Sequence, residues 1–127
     1  MTIAFERVIP VFRIFSVEKA REFYLDFLGF KVDWEARFGP DLPLYMQVSR
    51  DGFAIHLSEH HGDATPGSKV FVAVTGVRDL HRELTDEKYR YNRPGLQEQE
   101  WGLSELTVND PFGNRITFGE PKAKPAA

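Results

Sequence analysis

The order of elements read along this chain occurs twice, and that repeat limits its fold more than any other feature. Val8 to Phe15 is apolar with one Arg and predicts a strand. Ser16 then has the chemistry of an N-cap, and Glu18 sits where a first helical turn favours an acid. Val17, Ala20, Tyr24, Phe27 and Leu28 recur at helical spacing until Gly29 stops the run. Strands are predicted over Phe30 to Ala36, Leu44 to Ser49 and Phe53 to Ser58, the last two joined by the turn Arg50-Asp51-Gly52. The order then restarts. Lys69 to Thr75 predicts a strand, and Val77, Leu80 and Leu84 mark a short helix ending near Lys88. A weak strand over Gln97 to Glu100 and strands over Leu103 to Asn109 and Arg115 to Phe118 follow, the last two joined by Asp110-Pro-Phe-Gly-Asn114. Val17 and Val77 open the helices 60 residues apart, and Asp51 and Asp110 open the late hairpins 59 apart. A near-constant offset with one element order is the mark of an internal duplication.

The predicted fold class is therefore α+β: two tandem βαβββ modules forming a curved mixed sheet with the helices outside. At 127 residues the length suits one domain. We place that domain at 1–120, its pseudo-repeats at about 8–60 and 68–120, and a disordered tail at 121–127. Such a sheet presents its inner face as a cup. Strand alternation predicts which residues line it. Phe53, Ile55 and Leu57 pack on the helix side, leaving Ala54, His56 and Ser58 inward. Tyr45 and Gln47 point inward by the same count, as do Leu103, Glu105, Thr107 and Thr117.

Eleven Phe, four Tyr and two Trp exceed what a core of this size needs, so part of that aromatic surface is expected to line a pocket. A net charge of −3 gives no electrostatic footprint for nucleic acid, and no apolar stretch approaches the length of a membrane span. The absence of cysteine excludes disulfides, thiolate metal sites and cysteine nucleophiles. With no signal-peptide pattern at the start, the expected location is cytoplasmic.

Ile9-Pro-Val-Phe, Arg21-Glu-Phe-Tyr-Leu-Asp-Phe-Leu-Gly-Phe30, Trp101-Gly and Asp110-Pro-Phe-Gly-Asn-Arg-Ile116, in this order, resemble the glyoxalase/bleomycin resistance protein/dioxygenase (vicinal oxygen chelate) superfamily. Metal-dependent members place one ligand on the first strand of each half and one on the last. Matching by motif puts Ile9, His56, Lys69 and Thr117 at those positions, and only His56 is a competent ligand. The resemblance thus implies no metal and no other cofactor. The run His56-Leu-Ser-Glu59-His60-His61 reads as a strand passing into a polar loop rather than as a second metal site.

The start at Pro10, the aromatic loop around Phe38 and the Glu100-Trp101-Gly102 segment look like the bleomycin-resistance proteins of that superfamily. The resemblance implies a homodimer that sequesters a cationic, aromatic small molecule, such as a glycopeptide antibiotic of the bleomycin type, in clefts formed by two subunits. The candidate ligand-binding residues are Trp101, Phe38, Tyr45, His56 and Glu105. Trp101 lies between turn signals, either stacking on a ligand or serving as a rim or interface residue. His56 is either a hydrogen-bonded cup residue or a ligand contact, and Glu105 pairs with a cationic ligand or with an internal Arg such as Arg13. Trp34 is expected to be a packed strand residue. The rival reading is an enzyme of the same fold, of unknown reaction, with His56 and Glu105 as an acid–base pair or with a non-standard metal site. A third is a paralogue that binds a protein partner.

Overall fold

The computed structural model describes residues 2–122. Its eight strands are β1 (Val11–Arg13), β2 (Lys31–Ala36), β3 (Tyr45–Arg50), β4 (Phe53–Ser58), β5 (Lys69–Ala73), β6 (Leu96–Glu98), β7 (Leu103–Asn109) and β8 (Arg115–Pro121). Helix α1 (Val17–Arg21) follows β1, and α2 (Val77–Asp86) follows β5. The strands form two four-stranded sheets in the orders β1-β4-β3-β2 and β5-β8-β7-β6. In each, the first strand runs parallel to the last and the other pairings are antiparallel. The predicted duplication therefore holds down to the strand pairing.

One core joins the halves. Met46, Val48, Ile55 and Leu57 of the first sheet and Leu106, Val108 and Ile116 of the second belong to the same buried cluster as Phe23, Tyr24 and Leu84 of the helical segments. The alternation predicted for β4, β7 and β8 is thus observed, with the apolar set on the helix side. At the seam, Tyr24 Oη donates to Asp110 Oδ2 at 2.7 Å, and Asn114 Nδ2 donates to the carbonyl of Arg13 at 3.0 Å. Asp110 Oδ1 also accepts the backbone N–H groups of Phe112 and Asn114. The hairpin is therefore more than a turn, because the carboxylate that shapes it also receives a hydroxyl from the other half. Burial and this acidic neighbour push the Tyr24 phenol well above its ordinary pKa, so it remains a donor.

Several elements differ from the sequence expectation. The first strand was expected over Val8 to Phe15 but covers only Val11–Arg13; Pro10 has no N–H to give a ladder. Ser16 caps α1 as expected, its Oγ accepting from Lys19 N at 3.1 Å. The single expected helix widens into a π-helical segment, Glu22–Phe27, where Leu28 N reaches back to Phe23 O. That wider turn buries Phe23, Tyr24 and Phe27 together. Gly29, at φ 76°, ends it. The last strand runs to Pro121 and Lys122 N donates to Gly102 O, so these two residues are not tail. The rest of the expected tail, 123–127, lies outside the described residues.

Candidate functional site: two aromatic sheet faces

On the first sheet, β3 and β4 bring Tyr45, Gln47 and His56 onto the face away from the core, as alternation predicts. Gln47 Nε2 donates to Asp33 Oδ2 at 3.0 Å, which turns its Oε1 toward His56 Nε2, also at 3.0 Å. That nitrogen must therefore carry the proton. Nδ1 accepts from Tyr45 Oη at 2.7 Å. Both ring nitrogens of His56 have hydrogen-bond partners within the protein. Desolvation, then the charge of Arg7, lowers the His56 pKa and holds the ring neutral. Desolvation raises Tyr45, with a smaller push from Asp63, so its hydroxyl stays a donor. The line Asp33–Gln47–His56–Tyr45 fixes the Tyr45 ring.

Trp34 completes this face and was missed by sequence reasoning. It was expected to be packed, yet it is 42% exposed and lies parallel to Tyr45, with centroids 5.9 Å apart and planes at 9°. The cause is a shift of register between Val32 and Trp34 against β3. Val32 pairs with Val48 on the core side, and regular alternation would carry Trp34 to that side too. The extra residue, Asp33, turns it to face the cup beside Gln47. Nothing in the residue pattern announces a bulge of this kind. Phe38, 89% exposed on the β2–β3 connection, meets His60 edge-on at 6.0 Å.

On the second sheet, Glu105 and Trp101 come together as a pair. Trp101 is 67% exposed, and its indole N–H donates to Glu105 Oε2 at 3.2 Å. Gln99 Nε2 donates to Glu105 Oε1 at 3.3 Å. Phe71, half exposed, lies over the β8 backbone at Gly119, where a Cβ would come within 2.6 Å of its ring. A glycine inside a strand is the one signal that could have found it, since it marks close approach. The Thr107 and Thr117 hydroxyls are bonded to each other at 2.8 Å.

The five predicted residues thus divide into two groups. Tyr45 and His56 share the first sheet's face, with Phe38 on the connection between β2 and β3 against His60, and Trp101 and Glu105 come together on the second. His56 and Glu105, the acid–base pair of the rival reading, stand on different sheets and each is engaged by its own neighbours. Arg13 does not reach Glu105. Its guanidinium donates to the carbonyls of Ile14 and Glu59 and covers the Phe15 ring at 4.4 Å.

The residues at the metal positions do not fit a metal ion. In the strand register Val11 stands beside His56 and Phe71 beside Thr117, and neither can coordinate. His56 has both nitrogens occupied, and the Thr117 hydroxyl is bonded to Thr107. Ile9 offers no donor atom, and Lys69 is an ammonium. Among the described residues, no three His, Asp or Glu side chains gather as a metal site would require.

The repeat and the paired mixed sheets agree with what is found by comparison. The family model described as "Glyoxalase superfamily protein" matches residues 1–124. The chain belongs to the glyoxalase superfamily. Among solved structures, a bleomycin-binding protein complexed with bleomycin has a TM-score of 0.71 at 17% identity, covering 93% of this chain and 100% of that one. The antibiotic-binding protein TnmS3 from Streptomyces sp. CB03234 has a TM-score of 0.74 at 22% identity, covering 95% and 100%. The bleomycin-binding protein from Streptomyces verticillus, complexed with copper(II)-bleomycin, is 26% identical with a TM-score of 0.67, covering 97% and 100%. No curated protein matches the chain in sequence. Among the described residues, no helix is long and apolar enough to cross a membrane.

Proposed function

We propose that this glyoxalase-superfamily chain is a binding protein that sequesters a flat, cationic small molecule of the glycopeptide-antibiotic type, without a metal and without catalysis. One observation carries the reading. Each sheet turns an exposed aromatic surface away from the core, with Trp34 and Tyr45 on one and Trp101 and Phe71 on the other. Stacking a ring on such a surface contributes roughly 1–3 kcal/mol per contact. Glu105, held beside the Trp101 ring, supplies the negative charge that selects a cation. Two of the solved relatives are complexed with bleomycin or copper(II)-bleomycin and a third is an antibiotic-binding protein, which supports the same class of molecule.

The reading includes a homodimer. Within one chain the helix sides of both sheets share a single core, which leaves the aromatic faces outward, and the reading takes each as half of a cleft. A second copy that set its Trp101 face opposite the Trp34 face would close both clefts and cover apolar surface that a monomer leaves in water. A cytoplasmic location is part of the same proposal. Isothermal titration with metal-free bleomycin tests it. The reading expects saturable binding of one ligand per chain. Heats no larger than dilution, at millimolar ligand, would refute the antibiotic class.

A further inference from the structure

The line Asp33–Gln47–His56–Tyr45 has a direction, and that direction decides what the first aromatic face can offer a ligand. Asp33 begins it. Hydrogen bonds from Gln47, then from Ser49, hold its carboxyl below the ordinary aspartate pKa, so it stays ionised and can only accept. The Gln47 amide therefore sets its NH2 on Asp33 and its carbonyl on His56, at 3.0 Å each. A carbonyl also can only accept, so His56 carries its proton on Nε2 and leaves Nδ1 bare. Bare Nδ1 takes the Tyr45 O–H at 2.7 Å. A phenol has one proton to give. Once it is drawn to His56, the lone pair left on Tyr45 Oη can only accept. Among the described residues, His56 is the sole hydrogen-bond partner of that hydroxyl. Tyr45 is only partly buried, on the face that turns away from the core.

We infer that Gln47 is the positioning residue that sets the hydrogen-bond sense of this face: it makes Tyr45 Oη an acceptor, and so selects a flat ligand with an N–H or O–H donor beside its ring. This selection rests on the proposed role of the face in holding a ligand ring, and it narrows the ligand class. A protonated amine, a guanidinium or a primary amide offers such a donor, whereas a quaternary ammonium, an ether or an ester does not. An acceptor-only group set against Tyr45 Oη would leave two oxygens with no proton between them, which costs the bond that water would have made. The sense is intrinsic neither to tyrosine nor to histidine, since each can donate or accept. It is imposed from Asp33 through the one amide whose orientation that carboxylate fixes.

Naphthylmethanol and its methyl ether are suitable probes, because they share one flat ring, carry no charge and differ in a single donor. In the wild type the alcohol should shift the backbone amide signals of Tyr45, Gln47 and His56 with about fivefold higher affinity than the ether, the worth of one net hydrogen bond. Tyr45→Phe keeps the stacked ring and should bring the two affinities level, which separates Tyr45 Oη from the Asp33 carboxylate as the acceptor. Gln47→Lys replaces the carbonyl with a group that can only donate. His56 Nε2 must then accept, Nδ1 takes the proton, and the Tyr45 O–H turns outward. The ether should now bind at least as well as the alcohol, at a nearly unchanged melting temperature, and the nitrogen NMR shifts of the two ring positions should exchange. A merely structural Gln47 would lower both affinities together and keep their ratio. Equal affinities in the wild type would overturn the inference, as would a proton found on wild-type Nδ1 at neutral pH. With Nδ1 bare, no shifts from either probe at millimolar concentration would refute this face as a ligand surface, and the inference with it.

Discussion

Trp101 and Trp34 are the two side chains on which ligand recognition is expected to turn, and they differ in how they are held. Trp101 is held by its bond to Glu105, whereas Trp34 lies on a Tyr45 ring that His56, Gln47 and Asp33 immobilise. Trp101→Ala should weaken binding of a flat cationic ligand by about 5- to 150-fold, the equivalent of one lost stacking contact. Equilibrium binding on purified variants measures it. The His56 network makes a second prediction at this scale. Its pKa is lowered in the folded state, so between the ordinary imidazole value of 6.5 and the lower folded value the unfolded chain binds more protons. Its contribution to stability is then complete above pH 6.5 and declines as pH falls through that window. The His56 ring protons should titrate with a midpoint below 6.5 by NMR, and His56→Gln should remove part of the stability lost on acidification. At this scale the inward positions of Tyr45, His56 and Glu105 were legible because alternation is set by the backbone. Trp34 was not, because one inserted residue reverses the face and leaves no mark in the hydrophobic pattern.

Among the elements, the hairpin Asp110-Pro-Phe-Gly-Asn114 does most to fix how the halves meet. Asp110 accepts from Tyr24 Oη, from the backbone of Phe112 and Asn114, and from Asn114 Nδ2. Asp110→Ala strands these donors in a buried seam and should cost about 3 kcal/mol, read from urea unfolding followed by far-UV circular dichroism. Tyr24→Phe removes one donor and leaves the turn intact, so it should cost clearly less. The turn itself was readable from Asp, Pro and Gly at their positions. Its second job was not, because Tyr24 lies 86 residues away and only the folded chain brings it near. The capping of α2 was hidden for the same reason. Gly76 offers no side chain, and Glu120 arrives from the last strand. The widening of the first helix left the apolar spacing nearly unchanged, so Phe23, Tyr24 and Phe27 looked like an ordinary helical face.

For the whole molecule, the duplication was the most legible feature, because it shows in element order as well as in residue type. What it does not specify is how the concave faces are closed. The proposed homodimer supplies that, and sedimentation equilibrium at micromolar concentration should report twice the chain mass of 14.6 kDa. A species of 14.6 kDa would leave each face as an open half-cleft and would remove the dimer from the account. The central claim, however, is capture of a flat cation between aromatic faces. Fluorescence titration with metal-free bleomycin tests it most directly, because both tryptophans of the chain lie on those faces. The account predicts saturable quenching in the wild type, with weakened affinity and residual quenching from Trp34 in Trp101→Ala. Unchanged emission from both tryptophans up to millimolar ligand would contradict it.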